Sequence, residues 1–243
     1  MVLLSAVMGF SIYLSLPVVL SKGVGRTKTG VLNAVAIGIL IFLIGDVFLD
    51  AAGSLYNGSL YGYGSAPVYD LVFASSMGAG FLVLLLAGHR RKMALTPTQL
   101  ALIIALGIGF QNLTEGLLFG ALGVALGLTG ATLAVLVGFI FQNLTEGFPI
   151  ASPFLGETTG KATLITGALF IGGFPTVLGG AVGYYYSSAI LDLVFYGVAV
   201  GTMLYVILPM LRNLFREADA AKLSYTYAGV FLGFVLGFVV NLL

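Results

Sequence analysis

The heptapeptide Phe-Gln-Asn-Leu-Thr-Glu-Gly occurs twice, at residues 110–116 and 141–147, each time inside a stretch that is otherwise apolar and uncharged. A carboxylate at the centre of a membrane helix costs at least about 2.5–3.5 kcal/mol, so a glutamate repeated at that depth reads as a functional group. At 3.6 residues per turn, residues four apart share a helix face. Gln111 and Glu115 therefore point the same way with Asn112 beside them, and Gln142, Asn143 and Glu146 repeat the set. Two carboxylates and four amide groups brought face to face suit a hard or borderline divalent cation. The competing role is interhelical hydrogen bonding by Asn, Gln and Thr, which joins membrane helices but has no need of glutamate.

Other polar groups at membrane depth are sparse. Asp46 and Asp50 are again four apart and form a candidate capture site for cations approaching from outside; solvation of Asp50 and hydrogen bonding of Asp46 is the plainer alternative. Asp70 and Asp192 each begin an Asp-Leu-Val-Phe stretch at the start of an apolar segment, where an acid complements the helix dipole. Met77 and Met203 are soft donors in type, but Met in an apolar span usually packs. His89 and Arg90-Arg91-Lys92 read as a solvated connection.

The elements that must carry these groups follow from composition. Of 243 residues, 59% are hydrophobic and 8% charged, and mean hydropathy is +1.11. A soluble domain carries about 25% charged residues, so an all-α integral membrane protein is expected. The absence of Cys excludes disulfides and thiolate metal sites, and a single His excludes a histidine cluster. A net charge of +1 gives no reason to expect a nucleic-acid partner; the expected surroundings are a lipid bilayer.

Apolar segments of about twenty residues, the length needed to cross, can be cut at Gly, Pro, Asn and charge clusters. Eight result: about 2–21, 31–54, 67–88, 98–121, 130–153, 162–183, 187–211 and 224–242, forming one transmembrane domain over 1–243. The fourth and fifth have no charge between them, and Gly127-Leu128-Thr129-Gly130 is the turn that separates them. Every Lys and Arg falls in an odd-numbered connection: Lys22, Arg26 and Lys28; Arg90, Arg91 and Lys92; Lys161; Arg212, Arg216 and Lys222. The positive-inside rule makes those connections cytoplasmic and both termini external. Met1 to Leu20 has its positive charge behind the apolar run, as in a retained first span, whereas a signal peptide has it in front. Consecutive spans run antiparallel, so the two heptapeptides are expected about a two-fold axis in the membrane plane, the inverted symmetry of secondary transporters with a site near the midplane.

At these residues the sequence resembles the ZIP family of divalent-metal transporters (zinc- and iron-regulated transporter-like proteins). The family's fourth span typically reads His-Asn-x-Pro-Glu-Gly, matched here by Asn112, Glu115 and Gly116; its fifth is matched by Gln142, Asn143, Glu146 and Gly147. Ala151-Ser152-Pro153 and the stretch from Gly201 to Val206 look similar to later family signatures, and Asp46 and Asp50 fall where the second span often carries His and Glu. Gln111 stands where the family has His, Thr114 and Thr145 where it has Pro, and Phe174 where an acid precedes the proline of span 6. A Thr hydroxyl can bond back to the i−4 carbonyl and bend a helix in place of the missing proline. The Phe174 departure implies that the second metal position of the family is weakened or absent here.

The resemblance implies a 3+2+3 inverted-repeat bundle, a homodimer, and import of Zn²⁺, Fe²⁺ or Mn²⁺ across the plasma membrane. The ion is substrate, and no cofactor is expected. Gln111, Asn112, Glu115, Gln142, Asn143 and Glu146 would be its ligands, with Asp46 and Asp50 guiding it in. Two rivals share the scaffold: a transporter linked to H⁺ or Na⁺ that carries another solute, and a metal-binding sensor subunit that does not transport. With no Ser-His, Cys-His or His-Glu-x-x-His set, no catalytic residues and no enzymatic activity are expected.

Overall fold

Helix boundaries fall where the sequence supplies caps. In a computed structural model describing residues 1–19, 26–56, 67–89, 95–155, 162–186, 188–217 and 220–242, Thr96 opens a helix at Pro97. Its Oγ1 accepts from Gln99 N–H at 3.2 Å, and Gln99 Oε1 accepts from Thr96 N–H at 3.0 Å, a reciprocal capping box. That helix ends at Gly127, whose φ of 63° a residue with a side chain would rarely adopt. Thr129 then caps the next helix by accepting from Thr132 N–H. The turn expected at Gly127–Gly130 is therefore built from one left-handed glycine and one hydroxyl cap.

In chain order the helices are α1 (Val2–Phe10), α2 (Leu16–Val19), α3 (Arg26–Tyr56), α4 (Pro67–His89), α5 (Pro97–Leu126), α6 (Gly130–Ala151), α7 (Ala162–Tyr185), α8 (Ala189–Glu217) and α9 (Ala220–Asn241). No strand occurs among the described residues. Seven helical segments, within α3 to α9, are long and apolar enough to cross a bilayer. The chain is an all-α, multi-pass membrane protein.

The N-terminal segment differs from the single regular span expected over 2–21. Residues 2–19 are helical throughout, but Ser11–Ser15 tightens into a 3₁₀ turn between α1 and α2, and the apolar stretch Val2–Ser15 is shorter than the other seven. Pro17 lacks the N–H that a continuous α-helix would give to the Tyr13 carbonyl, so the turn ahead of it tightens. Ser11 Oγ donates to the Met8 carbonyl at 2.5 Å and lies 3.2 Å from the Ile140 carbonyl of α6; Ser15 Oγ donates to the Ile12 carbonyl at 2.8 Å. Lys22, Arg90, Arg91, Lys92 and Lys161 lie outside the described residues, as does the side chain of His89.

α5 is the centre of the bundle, packed along its length on α7 and also on α6 and α8. α4 lies on α8, and α3 on α9. The larger apolar core joins α3, α5, α7 and α8 through residues such as Leu40, Ile104, Leu169 and Met203. Tight crossings use glycine: a Cβ at Gly116 of α5 would overlap the Thr176 carbonyl of α7, and one at Gly147 of α6 would overlap Ser15 Oγ of the 3₁₀ turn. Each repeated motif thus ends in a glycine that a neighbouring backbone occupies.

Candidate cation site between α5 and α6

Gln111, Asn112 and Glu115 project from α5, and Gln142, Asn143 and Glu146 from α6; all six are buried, none more than 6% exposed. The two sets meet. Gln142 Nε2 crosses from α6 to donate to Glu115 Oε1 at 2.6 Å and reaches Glu146 Oε1 at 3.3 Å. Gln111 Nε2 donates to the same Glu115 oxygen at 3.1 Å. Asn112 Nδ2 donates to Asn143 Oδ1 at 3.0 Å and to the Gly172 carbonyl of α7, also at 3.0 Å. The Asn112 amide also lies against Glu146. One amide group therefore links the two carboxylates, and a second links the helices.

Satisfaction is incomplete in an informative way. Five buried side-chain polar atoms among the described residues have no hydrogen-bond partner, and four belong to this cluster: Gln111 Oε1, Asn112 Oδ1, Glu115 Oε2 and Glu146 Oε2. An unpartnered buried acceptor costs roughly 1–3 kcal/mol, more when charged. All four lie on the two repeated motifs, two on glutamates and two on amides.

Within the six, roles divide. Asn143 has both polar atoms engaged, accepting from Asn112 and donating to the Phe139 carbonyl at 3.0 Å, so it serves the helix-joining role. Thr114 Oγ1 bonds back to the Phe110 carbonyl four residues earlier at 3.1 Å, as its type allows; Thr145 Oγ1 instead reaches Gln142 O, three residues back, at 2.7 Å. Proline appears elsewhere in the bundle: Pro149 lies inside α6, four residues after Thr145, and Pro175 inside α7. A proline at 175 frees the Ile171 carbonyl, and Gly109 of α5 packs against that carbonyl.

Asp46 and Asp50 do not join the buried cluster. Asp46 is half-buried, with Oδ1 accepting from Asn241 Nδ2 at 2.7 Å, and Asp50 is exposed one turn further on. Asp46 is nevertheless within electrostatic range of both Glu115 and Glu146. Asp70 and Asp192 lie in the first turns of α4 and α8. Met203 is buried and its side chain packs on Gly107. Phe174 stacks on Phe170 with centroids 4.8 Å apart. No cluster of three or more His, Cys, Asp or Glu occurs among the described residues; the site rests on two carboxylates and amides.

Three participants escape sequence reasoning. The Gly172 carbonyl fixes Asn112; Asn241 holds Asp46 from 195 positions away. Thr176 of α7 is fully buried with an unpartnered hydroxyl, next to Gly9 of α1. None carries a signal in its own neighbourhood, since each matters only through a helix crossing. Compared with known proteins, the chain matches no family model and no curated protein.

Proposed function

We propose that this protein is a ZIP-like transporter that carries a divalent transition-metal ion into the cytoplasm through the site between α5 and α6. The observation that carries the reading is the joining of Glu115 and Glu146 by Gln142 Nε2, with each carboxylate's second oxygen buried and unpartnered. Two carboxylates in a dry layer attract a dication more strongly than any neutral solute.

The packing pattern supports the 3+2+3 arrangement. An inverted repeat of eight crossings pairs span 1 with 6, 2 with 7, 3 with 8 and 4 with 5. Gly201 of α8 (span 7) faces Met77 and Phe81 of α4 (span 3); Gly38 of α3 (span 2) faces Val230 and Phe234 of α9 (span 8). Gly116 of span 4 rests on span 6 as Gly147 of span 5 rests on span 1. Both contacts recur under the same exchange. With the basic residues cytoplasmic, both termini are then external.

Flux of Mn²⁺, Fe²⁺ and Zn²⁺ into proteoliposomes tests the reading; protein-dependent uptake of none of them would reject it. Binding requires ionised carboxylates, so apparent affinity is expected to fall as pH is lowered, by up to about 100-fold per pH unit where two protons are displaced. Titration of uptake against pH measures this, and an affinity that rises on acidification contradicts it. Asn241→Ala is expected to raise the apparent KM for the ion about three-fold with maximal rate unchanged, because Asp46 loses the partner that orients it. Asn241→Gln is expected to restore part of the loss.

One observation favours a second reading. The shell is richer in amides than in charge, with no third acid, His or Cys among the described residues, and such a set also suits Na⁺ or H⁺ coupled to another solute. Dependence of uptake on a Na⁺ or H⁺ gradient, with no divalent ion carried, would select it. A stably bound ion without flux would select a sensor subunit.

A further inference from the structure

We infer that the Gly172 carbonyl of α7 is a shared acceptor, held by Asn112 in this structure and by the Thr176 hydroxyl when Asn112 turns away, which makes Thr176 a positioning residue for the site. The exchange stands on hydrogen bonding alone; its consequence for uptake rests on the transport reading above.

Thr176 is fully buried, and its Oγ1 is the one unpartnered buried hydroxyl among the described residues. A threonine inside a helix ordinarily escapes this, because one of its χ1 wells points the hydroxyl at the carbonyl four residues back. Thr166, on the same helix, donates to the Ala162 carbonyl at 2.6 Å, and Thr114 of α5 donates to the Phe110 carbonyl at 3.1 Å. The carbonyl four before Thr176 is that of Gly172, and Asn112 Nδ2 already donates to it at 3.0 Å. A carbonyl oxygen has two lone pairs, and in a helix one of them takes the backbone N–H four residues on. With Asn112 on the other, none is left for the hydroxyl. Thr176 Oγ1 is turned instead to the crossing with α1, 3.2 Å from where a Cβ on Gly9 would stand. Glycine offers it no side-chain partner there.

A buried hydroxyl left unpaired destabilises the fold, whereas valine, of the same shape, would not. Its presence is accounted for by a second arrangement in which it is bonded. α7 is loosened at this point: Pro175 has no N–H to give the Ile171 carbonyl, so one bond is missing across the turn that carries Gly172. Asn112 has a reason to move, because its own Oδ1 is unpartnered, and an ion that draws this oxygen pulls the amide off Gly172. The vacated carbonyl would then be stranded in a dry layer without Thr176. By taking it, Thr176 stabilises the turned, ion-holding amide.

A double-mutant cycle tests the exchange without transport. In the wild-type background Thr176→Val removes only an unpaired hydroxyl, so the detergent-solubilised protein is expected to melt at or above the wild-type temperature. Asn112→Leu keeps a branched side chain and vacates Gly172. In that background Thr176→Val is expected to lower the melting temperature by about 2–4 °C, because the hydroxyl now holds the carbonyl. The Asn143 oxygen that Asn112→Leu also strands is common to both members of that pair and cancels. A similar fall in the wild-type background, or an equal effect in both, overturns the inference. Uptake into proteoliposomes decides independently if Asn112→Leu does not fold. For whichever of Mn²⁺, Fe²⁺ and Zn²⁺ the wild type carries, Thr176→Val is expected to raise the apparent KM about five-fold with maximal rate within about twofold, and Thr176→Ser to restore most of it. A merely packed threonine would give the reverse order, since valine fills its volume and serine does not. An unchanged KM in Thr176→Val overturns the positioning role and leaves the transport reading intact. Absence of uptake by the wild type rejects the transport reading, and the melts alone then decide the exchange.

Discussion

Replacing Glu146 with Gln is expected to lower divalent-ion uptake at least about 100-fold, or ~2.7 kcal/mol, in a protein that still folds. Gln keeps the size of Glu, and its carbonyl oxygen can go on accepting from Gln142 Nε2, the contact made by Glu146 Oε1. What disappears is the charge and the second oxygen, which no protein group partners. At an effective dielectric constant of about 20, two unit charges 4 Å apart interact by about 4 kcal/mol, so for a dication the hundredfold loss is a lower bound. Glu146 is fully buried, which leaves little room for water to replace the lost ligand. Glu115→Gln removes the partner charge and is expected to act alike. The double variant should be little worse than either single one, since the two groups act as one unit. Alanine is the poorer test, because it would also strand Gln142 Nε2 and open a cavity. Uptake assayed beside a thermal melt of the detergent-solubilised protein separates loss of binding from loss of folding. A folded Glu146→Gln protein with uptake within about twofold of wild type would end the assignment.

The helices and the pairing of the two heptapeptides were open to sequence reasoning because both depend on local periodicity. An acid and an amide four apart must share a face, and a chain with one short turn between two spans must bring those faces near each other. What stayed hidden is how identical heptapeptides come to do different work. Asn112 and Asn143 occupy equivalent positions, yet Asn112 reaches across to Gly172 while Asn143 bonds within its own helix to Phe139. The difference comes from the third helix, since α7 packs against α5 far more extensively than against α6. The 3₁₀ turn at Ser11–Ser15 was likewise concealed: Pro17 gives a reason for a break, but its form depends on packing against α6. The Asp46–Asn241 bond joins residues near the two ends of the chain. Such contacts follow from topology, and topology is what a residue pattern specifies least.

The glycine that ends each heptapeptide leads to the second large effect. Gly116→Ala and Gly147→Ala are each expected to cost at least about 2 kcal/mol of stability, the range seen when atoms are forced into a filled interior. At Gly116 the added carbon meets backbone on α7, the Thr176 carbonyl and the Gly180 nitrogen; at Gly147 it meets the Ile12 carbonyl and Ser15. Backbone cannot swing aside as a side-chain tip can, so the helices must separate. Separation at Gly116 would also draw Asn112 off the Gly172 carbonyl one turn away, loosening the amide that joins α5 to α6. Glycines facing open space provide the contrast. Gly78 and Gly167 have no atom within 4 Å of an added carbon. Alanine there should be neutral or stabilise by up to about 1 kcal/mol, the difference in helix propensity. The sign therefore reverses between two sets of chemically identical substitutions, and thermal melts of the four variants in one detergent would reveal it. If Gly116→Ala and Gly147→Ala melt with or above Gly78→Ala and Gly167→Ala, then α5 does not lie against α7, nor α6 against the N-terminal turn, at the spacing that brings the two carboxylates together.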